Sequence, residues 1–169
     1  MATCLPVGID PNLPCNGCPD PAFISEIMAL TVRQPFAALI ASGIKTLETR
    51  GWQTDYRGPL LICAGKEAHS LYRSYNLNTG TLELGNQSAP AFYQIDFDLF
   101  KIEGAAVCTV DLVGVRPFLK GSLVEKDACC DWFPGGFVWE LENPRLVEPK
   151  PIRGRPGLFK ANLIKYRGL

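Results

Sequence analysis

The chain has 169 residues, 47% of them apolar, and a formal net charge of zero. That size suits one domain around a single core. No apolar run approaches the roughly 18–20 residues that span a bilayer, and the N-terminus lacks the basic and apolar stretches of a signal peptide. A cytoplasmic protein with no membrane role is therefore expected. The zero balance also lacks the strong basic footprint that nucleic-acid binding usually leaves.

Charge and cysteines are unevenly spread. Residues 1–27 hold five prolines, Asp10, Asp20 and Glu26, with no Lys or Arg and no apolar periodicity. They read as an irregular arm, and residues 28–169 as the domain. Residues 144–169 carry seven bases against Glu148 alone, an asymmetry that suits a local anionic partner or a solvated basic tail. Cys4, Cys15 and Cys18 lie in the arm, Cys63 and Cys108 in apolar runs, and Cys129 and Cys130 side by side. An odd count of seven without export signals argues against a disulfide framework. A single Cys15-x-x-Cys18 without a matching pair is a weak zinc signal. Reduced thiols and no metal or other cofactor are expected, with Cys63 and Cys108 as small core residues.

Along the domain, Ala29–Val32 reads as a short strand. Pro35 then opens a helix, where its missing N–H costs nothing, with Phe36, Leu39 and Ile40 on one face. Gly43 suits the left-handed residue that stops it. In the extended segment that follows, Lys45, Leu47 and Thr49 point one way. Thr46, Glu48 and Arg50 point the other, unless a bulge intervenes. Pro59–Ala64 is apolar on both faces, hence a central strand. Residues 67–75 suit a short helix bearing His69, the only histidine, which has no evident Ser or Cys partner. Residues 76–89 read as a long polar loop, and residues 90–101 are ambiguous. Ala106, Cys108, Val110 and Leu112 share one face of a strand. Ser122 and Glu125 have the spacing of a capping box. Trp132 and Phe133 precede a Gly135-Gly136 turn and suit a cleft rim or a plug. Phe137, Trp139 and Leu141 alternate with Glu140 and Glu142. Asn143-Pro144 reads as a turn, residues 145–152 as a proline-broken edge, and Phe159, Ala161 and Leu163 as a last strand. Many short strands with one early helix predict a mainly β (α+β) fold, a closed and mostly antiparallel barrel with short flanking helices.

Chemistry concentrates between Arg33 and Lys66, where Arg33, Lys45, Arg50, Arg57 and Lys66 face only Glu48 and Asp55. Gln34, Trp52 and Tyr56 are interleaved. Flat rings beside cations can stack a base and hold phosphate, and a Glu beside a Lys can serve as an acid–base pair if desolvation tunes either one. The plainer reading is a salt-bridged strand edge whose aromatics cover the core.

Residues 30–66, LTVRQPFAALIASGIKTLETRGWQTDYRGPLLICAGK, resemble the opening of ASCH domains in the PUA-like superfamily. The family's Gly-x-Lys-x-x-Glu-x-Arg signature reads here Gly43, Lys45, Glu48, Arg50, and residues 135–160 are similar to the family's closing strands. The resemblance implies a PUA-like β-barrel whose cleft is lined by the motif and binds RNA, single-stranded nucleic acid or a modified nucleotide. Lys45 and Arg50 would then meet phosphate or a base edge, Glu48 an exocyclic amine or Arg50, and Trp52 or Tyr56 would stack. Arg33 and Gln34 would sit at the cleft mouth, Lys66 at the end of the central strand, and Arg153 and Arg155 along a phosphate track. One branch of such proteins hydrolyses acetylated cytidine with a Lys matched by Lys45 and a Thr. Glu48 stands at that Thr position and is no hydroxyl nucleophile. The alternatives are a hydrolase of a modified nucleoside or RNA with Lys45 and Glu48 as catalytic pair, and a protein-interaction domain with a structural Glu48–Arg50 bridge.

Overall fold

The structure, a computed structural model, describes residues 24–70, 72–85, 91–118 and 136–164. Cys4, Cys15, Cys18, Ser122, Glu125, Cys129, Cys130, Trp132 and Phe133 lie outside them.

Strand β1 (Ile24–Gln34) runs into helix α1 (Phe36–Ala41) through a cis Gln34–Pro35 peptide. Its first residues, Ile24–Ile27, pair with Ile164–Ala161 of the last strand, β9 (Leu158–Ile164). The segment after α1 forms β2 (Leu47–Arg50), and the apolar run that follows forms β3 (Gly58–Ala68). β3 lies parallel to β1, with Met28 opposite Leu60 and Val32 opposite Ala64. A parallel pair needs a crossover connection, which α1 and β2 supply. β7 (Ala106–Pro117) and β8 (Phe137–Leu146) complete a six-stranded sheet in the order β2-β8-β7-β3-β1-β9.

Beyond the end of β3 the chain forms a three-stranded antiparallel sheet, β4 (Tyr72–Asn76), β5 (Thr81–Leu84) and β6 (Ala91–Gln94). A short helix, α2 (Phe97–Lys101), follows, with Asp96 accepting from the Asp98 N–H as its cap. The expected helix at residues 67–75 is replaced, among the described residues, mostly by strand, and the expected loop at 76–89 contains the strand β5, with a turn at residues 77–80 before it. Leu82 and Leu84, both buried, alternate with Thr81 and Glu83 and anchor this sheet to the core.

The expected barrel does not form. β2 is bonded only to β8 and β9 only to β1, so neither described sheet closes. β9 leaves β1 at Leu30, and the carbonyl of the next residue, Thr31, accepts from Nη2 of Arg50 on β2 at 2.8 Å. In a flat sheet β2 and β1 would stand about 19 Å apart, four steps of about 4.8 Å. An arginine side chain cannot span that, so the sheet curls strongly, and a guanidinium rather than a ladder crosses the opening.

The curl wraps α1. All six of its residues are buried, and the helix packs against β1, β3, β7 and β8. Leu39 and Ile40 are 0% and 1% exposed, and burying each fully is worth about 1.5–3 kcal/mol. β3 is central and two-faced: Leu60, Ile62 and Ala64 turn to α1, while Leu61 and Cys63 join Ala29, Ala106, Phe159 and Ala161 on the reverse. The Asn143-Pro144 pair is not a chain reversal. It stays within β8 as a bulge, with Asn143 at φ 51° and the register to β7 shifting there.

Candidate functional site

The helix stop sets the geometry of the motif. Ser42 caps α1 and Gly43 adopts φ 73°, the left-handed conformation that glycine tolerates. The Ile44 and Lys45 amides both turn back to the Leu39 carbonyl, each at 3.0 Å. Lys45 therefore lies in the turn, ahead of β2, and strand alternation does not govern it. Its Nζ folds back to the Leu47 carbonyl at 2.7 Å and to Glu48 Oε2 at 3.3 Å, and lies 5.2 Å from the centre of the Phe36 ring. The other carboxylate oxygen of Glu48, Oε1, meets Arg50 Nη2 at 2.9 Å. Lys45, Glu48 and Arg50 thus converge, although alternation alone would place Lys45 on the opposite side.

This cluster is enclosed. The side chains of Lys45 and Glu48 are 1% and 9% exposed, that of Arg50 23%. Arg50 Nη2 divides its two hydrogens between Glu48 and the Thr31 carbonyl, and its buried Nε has no hydrogen-bond partner among the described residues. A buried charge cluster of this kind orients and holds. It offers little surface to a ligand.

Gln34 is likewise occupied. It is 2% exposed, donates to the Leu99 and Ile102 carbonyls at 2.9 and 2.8 Å, and accepts from the Ala38 amide. It ties α1 to α2 and does not reach a cleft mouth. Trp52 packs edge-on against Trp139 at 4.7 Å between ring centres, and Trp139 Nε1 donates to its carbonyl. The Tyr56 hydroxyl donates to the Pro59 carbonyl. Arg57 donates to the Thr54 and Tyr56 carbonyls. His69 stands edge-on to Phe36, 5.0 Å away.

The remaining predicted bases gather elsewhere. A cleft of about 850 Å³ lies between the Gly65-Lys66 end of β3 and residues 151–156, with Thr31 and Gly104 in its walls. Among the described residues its lining includes Lys66, Arg153 and Arg155 and no carboxylate. Arg33 flanks it: its Cγ lies 3.8 Å from where a Cβ on Gly65 would stand. All four bases are exposed, and among the described residues none of them sits in an ion pair. By contrast Arg73, Lys101, Arg116, Arg145 and Lys160 all face carboxylates.

Hydrogen bonds from backbone amides hold the cleft wall. The Ile152 amide donates to the Gly104 carbonyl at 2.9 Å, the Ala106 amide to Lys150 at 2.9 Å, and the Arg155 amide to Thr31 Oγ1 at 3.2 Å. Neither the motif residues nor Trp52 and Tyr56 line this cleft. Gly104 and Gly154, which do line it, carry a sequence signal only in hindsight, in the spacing Arg153-Gly154-Arg155. Thr31 carries none. Among the described residues no cluster of three His, Cys, Asp or Glu side chains is arranged to hold a metal, and no helix is long and apolar enough to cross a membrane.

A family model described as ASCH domain matches residues 30–151. Over 153 residues the chain is 27% identical to Activating signal cointegrator 1 of Homo sapiens and 28% identical to that of Mus musculus. The matched region takes in 82% of this chain and 23% of either relative, so the chain spans less than a quarter of the length of these proteins.

Proposed function

The chain belongs to the ASCH domain family, and we propose that it binds RNA, single-stranded nucleic acid or a modified nucleotide through phosphate. The observation that carries this reading is the cleft whose lining, among the described residues, holds Lys66, Arg153 and Arg155 and no carboxylate. Unpaired cations along a groove attract an anionic backbone and release its counterions on binding. Among the described residues no aromatic ring lines the groove, which favours recognition of the backbone over recognition of stacked bases. The motif itself supports the site from behind. Lys45, 1% exposed and engaged with Glu48 and Leu47, is poorly disposed to act on a substrate, so binding is favoured over hydrolysis.

The test is a salt titration of fluorescently labelled RNA and single-stranded DNA, with Lys66→Ala/Arg153→Ala/Arg155→Ala as the variant. The dependence of log affinity on log salt should flatten by about 2, since each phosphate contact on a single strand contributes about 0.7. Binding that ignored salt and survived the triple change would sink the reading. The internal Glu48–Arg50 bridge, 2.9 Å long, supports a second reading as a protein-interaction domain. That reading predicts no binding to either nucleic acid.

A further inference from the structure

We propose that Thr31 is a positioning residue that transmits the Lys45–Glu48–Arg50 arrangement to the cleft wall, an inference that rests on the cleft being the phosphate site. Thr31 touches both. Its carbonyl is held by Arg50 Nη2 at 2.8 Å, and that nitrogen is in turn held by Glu48 at 2.9 Å. On the other side its hydroxyl oxygen accepts from the Arg155 amide at 3.2 Å. A Cβ placed on Gly154 would stand 2.9 Å from Thr31 Oγ1 and 3.0 Å from Cγ2. The Arg153-Gly154-Arg155 backbone therefore rests directly on the Thr31 side chain, and glycine is what allows the approach.

The chemistry of the relay is positional. Two cleft cations, Arg153 and Arg155, flank Gly154, so the height of that residue over β1 sets where both side chains start. β9 has already left β1 at Leu30, so the Thr31 hydroxyl, and not a strand partner, fixes that height. Arg50 fixes Thr31 by its carbonyl across the open side of the sheet. The motif thus acts on the ligand without touching it.

Thr31→Val keeps the branched shape and removes the acceptor. It should weaken RNA binding roughly five-fold, the scale of one lost hydrogen bond. Because every cation remains, the salt dependence should keep its slope, whereas Arg155→Ala lowers it. Thr31→Ser, which restores the hydroxyl, should recover affinity. Amide hydrogen exchange supplies a readout that needs no ligand: Arg155 N–H should lose protection in Thr31→Val and in Arg50→Lys, and keep it in Thr31→Ser. Wild-type affinity and unchanged Arg155 exchange in Thr31→Val would overturn the relay while leaving the cleft reading intact. If wild-type protein bound no nucleic acid, the cleft reading would fail, and exchange at Arg155 would still decide whether Thr31 seats the wall.

Discussion

Lys45 Nζ stands 3.3 Å from Glu48 Oε2, with only 1% and 9% of the two side chains exposed. Such a pair contributes modestly when intact, because desolvation offsets the attraction. Removing one partner is far more damaging, since it strands a buried charge. Glu48→Gln keeps the shape of the side chain and removes the charge that both Lys45 and Arg50 face. The expected loss in urea unfolding, followed by tryptophan fluorescence, is about 3–5 kcal/mol. The exposed Lys160–Glu26 pair is the control: Glu26→Gln should leave the midpoint in place. A Glu48→Gln protein as stable as the wild type would show that the cluster is not held by its charges.

Gly43→Ala separates conformation from space. The added Cβ would meet only Pro144 Cγ at 3.6 Å, an ordinary contact. The φ of 73° nonetheless disfavours any side chain, so a loss of about 1–2 kcal/mol is expected. The Lys45 turn should tighten poorly, with faster amide exchange at Ile44 and Lys45. A variant with unchanged stability would mean that the turn relaxes to another conformation at no cost.

Gln34→Leu tests the link between the two helices. Its amide serves the Leu99 and Ile102 carbonyls at one end and the Ala38 N–H at the other. Leucine fills similar space and serves none of them, so about 1–3 kcal/mol should be lost. The loss should be local, with α2 exchanging before the six-stranded sheet. Uniform exchange across both would contradict a tether at this position.

The two described thiols should respond to alkali. Burial pushes Cys63 and Cys108 from 9.0 up to about 12, with the neighbouring Cys63 adding to the shift at Cys108. Between these limits the folded protein keeps protons that the unfolded chain has released. Their contribution to stability is therefore complete below the unfolded value and is lost as pH rises through the folded one. Stability should fall above roughly pH 9, less steeply in Cys63→Val/Cys108→Val. Peptide mapping after alkylation of native protein at pH 8 should find both unlabelled, and rapid labelling of either would contradict their burial.

Much of the sheet is legible residue by residue. Pro59–Ala64 is apolar on both faces because β3 contributes buried residues to a cluster on each side of the sheet, and Phe137, Trp139 and Leu141 alternate because β8 has one face on α1. Closure is not legible, because it depends on which strands are neighbours. Nothing in either segment announces that β1 and β3 run parallel, or that β9 stops pairing at Leu30. The small sheet is missed for a different reason: only Leu82 and Leu84 are buried in its middle strand, too few to show a period amid polar residues.

The motif shows the same division. Its residue types announce a charge cluster, but the direction of Lys45 follows from two amides sharing the Leu39 carbonyl, a contact invisible in the one-dimensional pattern. Lys66, Arg153 and Arg155 are recognisable as bases. Their gathering depends on the Ile152–Gly104 and Arg155–Thr31 hydrogen bonds, which join segments far apart in the chain.

The pairing of β1 with β9 sets Ile24 opposite Ile164. Chain arriving before the first strand and chain departing after the last therefore meet the sheet at a single place. A unit joined in this way can be carried in a larger polypeptide like a bead on a loop, with its neighbours brought close to each other whatever they are. The same pairing delays assembly: the outer edge of β1 stays uncovered until residues more than a hundred positions later have been made. Contacts of such long range are slow to form, so the last strand acts as the latch that completes the domain.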